Sequence, residues 1–162
     1  MSFFWKKKPA KEWKNKNPTD IQEFIERRHK ATVVTLDRDL VVDDNNINRD
    51  VLTRYLTKYG FKSDTAETGY DVLEMMVDKN YKVIWIDIKM PILDGYETVK
   101  YLRDEYPNGY GYKGLIVGVT GYADEESQNR CIEAGMDNIL TKPYSHESIL
   151  RLHSPHSSAP VA

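Results

Sequence analysis

Five polar residues stand where short apolar runs of this sequence stop. Asp43 and Asp44 follow Val41-Val42, Asp87 follows Val83-Ile84-Trp85-Ile86, Thr120 follows Val117-Gly118-Val119, and Lys142 comes just after Ile139-Leu140. Three carboxylates gathered in one cleft repel one another, at a cost on the order of several kcal/mol, unless a cation relieves them. A hard divalent ion does so. Magnesium takes oxygen ligands, keeps several waters and is held by one or two carboxylates plus a phosphate; this suits Asp44 and Asp87 as direct ligands and Asp43 through water. The backbone carbonyl of Lys89 is a further ligand candidate whatever its side chain, and Mn2+ is an acceptable substitute for Mg2+. Asp87 ends a central run and is the carboxylate best placed to act as a nucleophile, since carboxylates form acyl phosphates. Phosphoryl transfer then needs charge neutralisation and a hydroxyl donor, which Lys142 and Thr120 supply. Taken singly, each residue has a plainer reading: Thr120 as a helix cap, Lys142 as a solvated charge, Asp43-Asp44 as an acidic turn, Asp94 before Gly95 as a cap or turn residue. Five suitable types at corresponding strand ends outweigh those readings.

The elements that must position them alternate from Val33 to Leu152 between short apolar runs and segments of helical period, the pattern of a parallel sheet flanked by helices. Strands are expected at Leu40 to Val42, Lys62 to Thr65, Val83 to Ile86, Leu115 to Val119 and Asn138 to Leu140. The continuously apolar third and fourth belong at the centre. Helices are expected near Ile47 to Tyr59, Gly69 to Lys79, Tyr96 to Tyr106, Ala123 to Ala134 and His146 to Leu152. Val51, Leu52, Tyr55, Leu56 and Tyr59 form a buried helical stripe by spacing, and Gly60 and Gly135 end their helices. Residues 108–114 read as a surface loop. In such a sheet the ligand site lies beyond the carboxyl ends of the strands, where these five residues fall.

With 162 residues, 40% apolar and 30% charged, the chain has the make-up of one globular domain with flanking segments. No apolar run approaches the roughly 20 residues that span a bilayer. A single cysteine, Cys131, excludes an internal disulfide framework and points to the cytoplasm. Residues 1–30 carry nine Lys/Arg against four Asp/Glu, whereas the remainder carries fourteen against twenty-one. A basic extension (1–31) thus precedes an acidic domain (32–152), and residues 153–162, rich in Ser, His and Pro, read as a disordered or cloning-derived tail. The extension's Phe3-Phe4-Trp5 and following lysines could meet a membrane surface or an acidic partner, with a solvated arm as the plainer reading. Pro18-Thr19 caps a short helix there, which docking or pairing with a second copy as a homodimer would stabilise. The start lacks the apolar stretch of a secretory signal.

The segments Val41-Val42-Asp43-Asp44-Asn45-x-x-Asn48-Arg49, Ile86-Asp87-Ile88-Lys89-Met90-Pro91-Ile92-Leu93-Asp94-Gly95, Val119-Thr120-Gly121 and Thr141-Lys142-Pro143 resemble the signature segments of response-regulator receiver domains. Their wording is most similar to receivers of hybrid histidine kinases. The resemblance implies an α/β, flavodoxin-like (βα)5 three-layer sandwich with a parallel five-stranded sheet of order 2-1-3-4-5. It further implies a histidine kinase or histidine phosphotransfer protein as donor, Asp87 as acceptor, Asp43 and Asp44 as the metal pair, Thr120 as switch hydroxyl, Lys142 as phosphate contact and a cis Lys142-Pro143 bond. A downstream target of unknown identity is implied as well, and no DNA-binding or enzymatic output domain is expected within these 162 residues. Ile139 stands where the family usually has an aromatic switch residue, and Ser154-Pro155 cuts the last helix to about two turns, thinning a face that relatives use to dimerise.

Three other functions fit these residues less well. An aspartyl-nucleophile phosphohydrolase would need a second acid two residues after the nucleophile, where Lys89 stands. A flavodoxin-like redox protein needs hydroxyls and amides where Asp43 and Asp44 stand. A pseudo-receiver working as an unphosphorylated interaction module would not need all five site residues.

Overall fold

The computed structural model describes residues 33–104 and 111–153. The expected N-terminal helix and basic extension lie outside the described residues, as do residues 154–162. In chain order the elements are β1 (Val34–Thr35), β2 (Asp39–Val42), α1 (Asn46–Lys58), β3 (Ser63–Ala66), α2 (Gly69–Met75), β4 (Lys79–Asn80), β5 (Val83–Asp87), α3 (Gly95–Asp104), β6 (Leu115–Thr120), α4 (Glu125–Ala134), β7 (Asn138–Thr141) and α5 (His146–His153). Five strands form one parallel sheet of order β3-β2-β5-β6-β7. Counted within that sheet alone, the order is 2-1-3-4-5, the flavodoxin-like arrangement.

The central strands are apolar on both faces because both faces are covered. Along β5, Ile84 and Ile86 join Leu40, Val42 and Ile116 in one core beneath α2, α3 and α4. Val83 and Trp85 join Val41, Val117 and Leu140 in the other, beneath α1 and α5. Trp85 and Ile86 are fully buried, and each such side chain contributes about 1.5–3 kcal/mol by leaving water. Helix ends follow local chemistry. Asn45 accepts hydrogen bonds from the Ile47 and Asn48 amides at the start of α1, Thr68 and Asp71 form a reciprocal capping box on α2, and Gly135 closes α4 at φ 100°.

Several expectations are corrected. A second sheet, β1 paired in parallel with β4, went unforeseen; two-residue strands are too short to show a period. It also ends α2 at Met75, short of the expected Lys79, because Lys79 and Asn80 pair with Val34 and Thr35. On α1, Leu52 and Leu56 are buried but Val51 is 41% exposed, so the stripe is narrower than its spacing suggested. Part of the supposed surface loop is interior: Gly111 and Tyr112 are buried, with the Tyr112 hydroxyl donating to the Tyr81 carbonyl, whereas Lys113 is exposed. His153, assigned to the tail, is the last residue of α5. It is buried, its Nε2 lies 2.9 Å from Asp39 Oδ2, and its ring stacks on Phe61.

Candidate functional site

All five residues singled out at strand ends arrive at the carboxyl edge of the sheet. Asp87 is the last residue of β5 and Thr120 the last of β6; Asp43 follows β2 directly, and Lys142 follows β7. Parallel pairing aligns them: Val42 sits opposite Ile86, Asp87 opposite Val119, and Thr120 opposite Thr141. The ladder continues one step into the site, where the Lys142 amide donates to the Thr120 carbonyl at 2.7 Å. The Lys142-Pro143 bond is cis.

Carboxylate oxygens of Asp43, Asp44 and Asp87 all lie within 4.8 Å of one another. Lys142 Nζ bridges two of them, at 3.1 Å from Asp43 Oδ2 and 3.0 Å from Asp87 Oδ1. One ammonium against three acids leaves the pocket with surplus negative charge. Burial, joined by repulsion from Asp43, pushes the Asp87 carboxyl up from 3.8 to about 6, more than Lys142 offsets. Burial pulls the Lys142 ammonium down, but hydrogen bonds and attraction from Asp87 and Asp43 outweigh it and hold the group above its usual value. The pairing therefore prevails at the lysine and loses at the aspartate, where two effects oppose it. A crowded set of hard oxygen donors with residual negative charge fits a divalent cation such as magnesium.

The loops around the pocket are individually fixed. Gly95 begins α3 where the chain turns back on β5, so closely that a Cβ there would stand 2.5 Å from the Asp87 carbonyl oxygen; no other residue fits. Between them Ile92 takes φ 76°, and the Leu93 amide donates across it to the Pro91 carbonyl at 2.9 Å, forming a strained γ-turn. Asp94 does cap the helix that follows: its Oδ1 accepts from the Glu97 amide at 2.8 Å. Thr120 Oγ1 accepts from the Tyr122 amide at 3.0 Å, which leaves the hydroxyl hydrogen for another acceptor. Lys89 and Tyr122 rim the opening, with Lys89 Nζ 3.9 Å above the Tyr122 ring. Ile139 is half-buried against the core that underlies α2, α3 and α4. Asn48, Arg49 and Glu67 received no role from sequence reasoning, yet the first two bind Asp43 and the third holds the Arg49 guanidinium. The first two stood out as wording; Glu67 carried no signal, because its contact depends on how β3 lies beside β2.

A doubly wound sheet with an acidic pocket at the end of its first and third strands defines a class of phosphorylation switches. Residues 40–153 match the model of the response regulator receiver domain, and the chain belongs to that family. Among curated proteins it is similar to hybrid signal transduction histidine kinase F of Dictyostelium discoideum, 38% identical over 110 residues that make up 67% of this chain and 10% of that protein. It is also similar to the sensor histidine kinase RcsC of Escherichia coli (strain K12), 36% identical over 110 residues, 68% of this chain and 11% of that protein. The chain thus spans about a tenth of the length of these relatives. Among solved structures, the receiver domain of the sensor histidine kinase PA1611 from Pseudomonas aeruginosa PAO1, with magnesium coordinated in its active site cleft, shares a TM-score of 0.66 and 25% identity. That match covers 74% of this chain and 95% of the other. The chain is a receiver of the histidine-kinase phosphorelay type, in a family of phosphoacceptor switches.

Proposed function

We propose that Asp87 accepts a phosphoryl group from a phosphohistidine, carried by a histidine kinase or a histidine phosphotransfer protein, and that the resulting acyl phosphate switches the loop following Thr120. The observation that carries this reading is the convergence of three acids and one lysine on a single pocket, with Asp87 at the end of the central strand and in contact with the lysine. Asp43, Asp44 and Asp87, with the Lys89 carbonyl, are the groups to hold Mg2+; Mn2+ suits the same oxygens. When bound, the metal supplies the positive charge that lets phosphoryl oxygens approach three carboxylates.

The chain's own groups perform the transfer. An Asp87 carboxylate oxygen attacks phosphorus in line, the P–N bond breaks, and its electron pair leaves with the imidazole nitrogen, which needs no acid from the protein. Lys142, already within 3.0 Å of Asp87, moves its charge onto the transferred group. Thr120 turns its free hydroxyl hydrogen toward a phosphoryl oxygen, drawing in the segment tied to it through the Tyr122 amide. That shifts the population of the β6–α4 loop toward an active form. With Ile139 at the position where the family has an aromatic switch, Tyr122 is the ring that moves with this loop. Lys89 and Tyr122, stacked at the rim, control water access and hence the lifetime of the acyl phosphate during slow autodephosphorylation. Among the described residues no helix is long and apolar enough to cross a membrane, and the buried thiol of Cys131 suits a reducing cytoplasm.

The test is intact-mass detection of a phosphoryl adduct after incubation with acetyl phosphate and Mg2+. An adduct is expected on the wild-type chain and lost on removing the metal. One that persists in Asp87→Asn would exclude the assigned acceptor.

A further inference from the structure

We propose that Asn48 and Arg49, in the first turn of α1, are positioning residues for the cation site: they hold the Asp43 loop so that one carboxylate oxygen, Oδ2, faces the pocket. The inference rests on the reading of that pocket as a divalent-metal and phosphoryl site, and it assigns a task to the Asn45-x-x-Asn48-Arg49 segment that the proposed chemistry leaves without one.

Asp43 is held at nearly every polar atom it has. Its amide donates to the Ala66 carbonyl at 3.3 Å. Its Oδ1 accepts from the Asn45 amide at 2.9 Å and from Asn48 Nδ2 at 3.4 Å. Its carbonyl accepts from Arg49 Nη1 at 2.6 Å. Only Oδ2 is turned toward Lys142. The second arm of the guanidinium, Nη2, reaches Glu67 Oε1 at 3.0 Å, in the loop between β3 and α2. That loop is itself fixed, because the Glu67 amide donates to Asp71 Oδ2. Arg49 therefore ties the metal-side loop to its neighbour across the sheet edge.

What Arg49 does not touch matters as much. An arginine bound to the Asp43 carboxylate would compete with a cation for the same charge. Here the guanidinium spends one arm on a neutral carbonyl and the other on Glu67, so the loop is held while the carboxylate keeps its charge. The planar fork presents two separate nitrogens to the Asp43 carbonyl and to Glu67 in fixed directions, a span that the single nitrogen of a lysine does not reproduce. With its side chain only 12% exposed, Arg49 is committed inside the protein and is not free to contact a partner. Groups that orient metal ligands in this way set affinity, and losing one weakens metal binding about 10–100-fold.

The experiment measures Mg2+ binding to the full chain by calorimetry, thermal melting without metal, and acetyl phosphate labelling at limiting and saturating Mg2+. For Arg49→Ala the expected result is binding weaker by about tenfold or more, with labelling lost at limiting Mg2+ and largely recovered at saturation. Asn48→Ala behaves likewise to a smaller degree. Arg49→Lys falls between wild type and Arg49→Ala, and Glu67→Gln weakens binding less than either. Should Arg49→Ala fail to fold, the lysine and Glu67 variants still decide. Wild-type Mg2+ affinity in folded Arg49→Ala or Arg49→Lys, whatever the melting temperature, overturns this proposal alone. A wild-type chain that binds no Mg2+ overturns it together with the functional reading beneath it.

Discussion

The two ends of the central sheet carry buried charge in opposite ways. At the amino end Asp39, 1% exposed, accepts from Trp85 Nε1 at 3.0 Å and meets His153 at 2.9 Å. Beside it, Arg38 binds both Asp64 Oδ1 and the Ser63 carbonyl, while the Tyr81 hydroxyl takes Asp64 Oδ2. Each acid there has as many donors as it needs. At the carboxyl end, one ammonium is shared between Asp43 and Asp87, and Asp44 sits exposed beside them. Charge that is matched locks elements together; charge left unmatched waits for a ligand. The same residue types thus build a joint at one edge and a receptor at the other.

The most forceful way to break this contrast is at the acceptor. Asp87→Asn is expected to abolish the Mg2+-dependent adduct outright in intact-mass spectra while leaving the fold intact. At the opposite end, Asp39→Ala strands the Trp85 indole N–H and His153 together, and losing one partner of a buried pair costs about 3 kcal/mol or more. Urea unfolding should show that loss, with the labelling rate per folded molecule unchanged; a labelling defect equal to the stability defect would erase the distinction between the ends. Lys142→Ala should slow acetyl phosphate labelling by on the order of a hundredfold, the scale for removing one donor to transition-state charge. A normal rate would argue against coupling through it.

The smallest effect concerns pH. Because folding raises Asp87 from 3.8 to about 6, the folded chain holds that proton more tightly than the unfolded one. Metal-free stability is then least affected below pH 4 and falls as pH rises through about 6, where the buried carboxylate ionises. Screening at the partly open pocket limits the loss to about 1–2 kcal/mol. Melting from pH 5 to pH 8 should show the decline, and Asp87→Asn should flatten it. Mg2+ opposes it above pH 6, and protons displace the ion below.

What could be read without coordinates was whatever repeats or contrasts locally. Continuous apolar runs located β5 and β6, and polar residues ending such runs located the pocket, since strand direction alone carries them to one edge. His153 was missed because its partner Asp39 lies 114 residues away and nothing near it in the chain hints at a buried contact. Val51 fits the helical spacing but falls at the margin of the stripe facing the sheet. Tyr112 looked like part of a glycine-rich loop because its burial is set by Tyr81 and by Arg103, which donates to the Tyr112 and Gly114 carbonyls. Asn48 and Arg49 could be noticed as wording, but their task is visible only once β3 and its loop stand beside β2.

The short β1–β4 pair has a bearing on how this switch is plumbed into anything larger. The described chain enters at Val33 beside the end of α2, and it leaves at His153 against Asp39, on the same side of the molecule. Both ends of the described stretch thus sit at the edge of the sheet away from the acceptor carboxylate, whose pocket Lys89 and Tyr122 rim. Anything joined at Val33 or His153 first meets the described residues like a handle, on the side opposite that pocket.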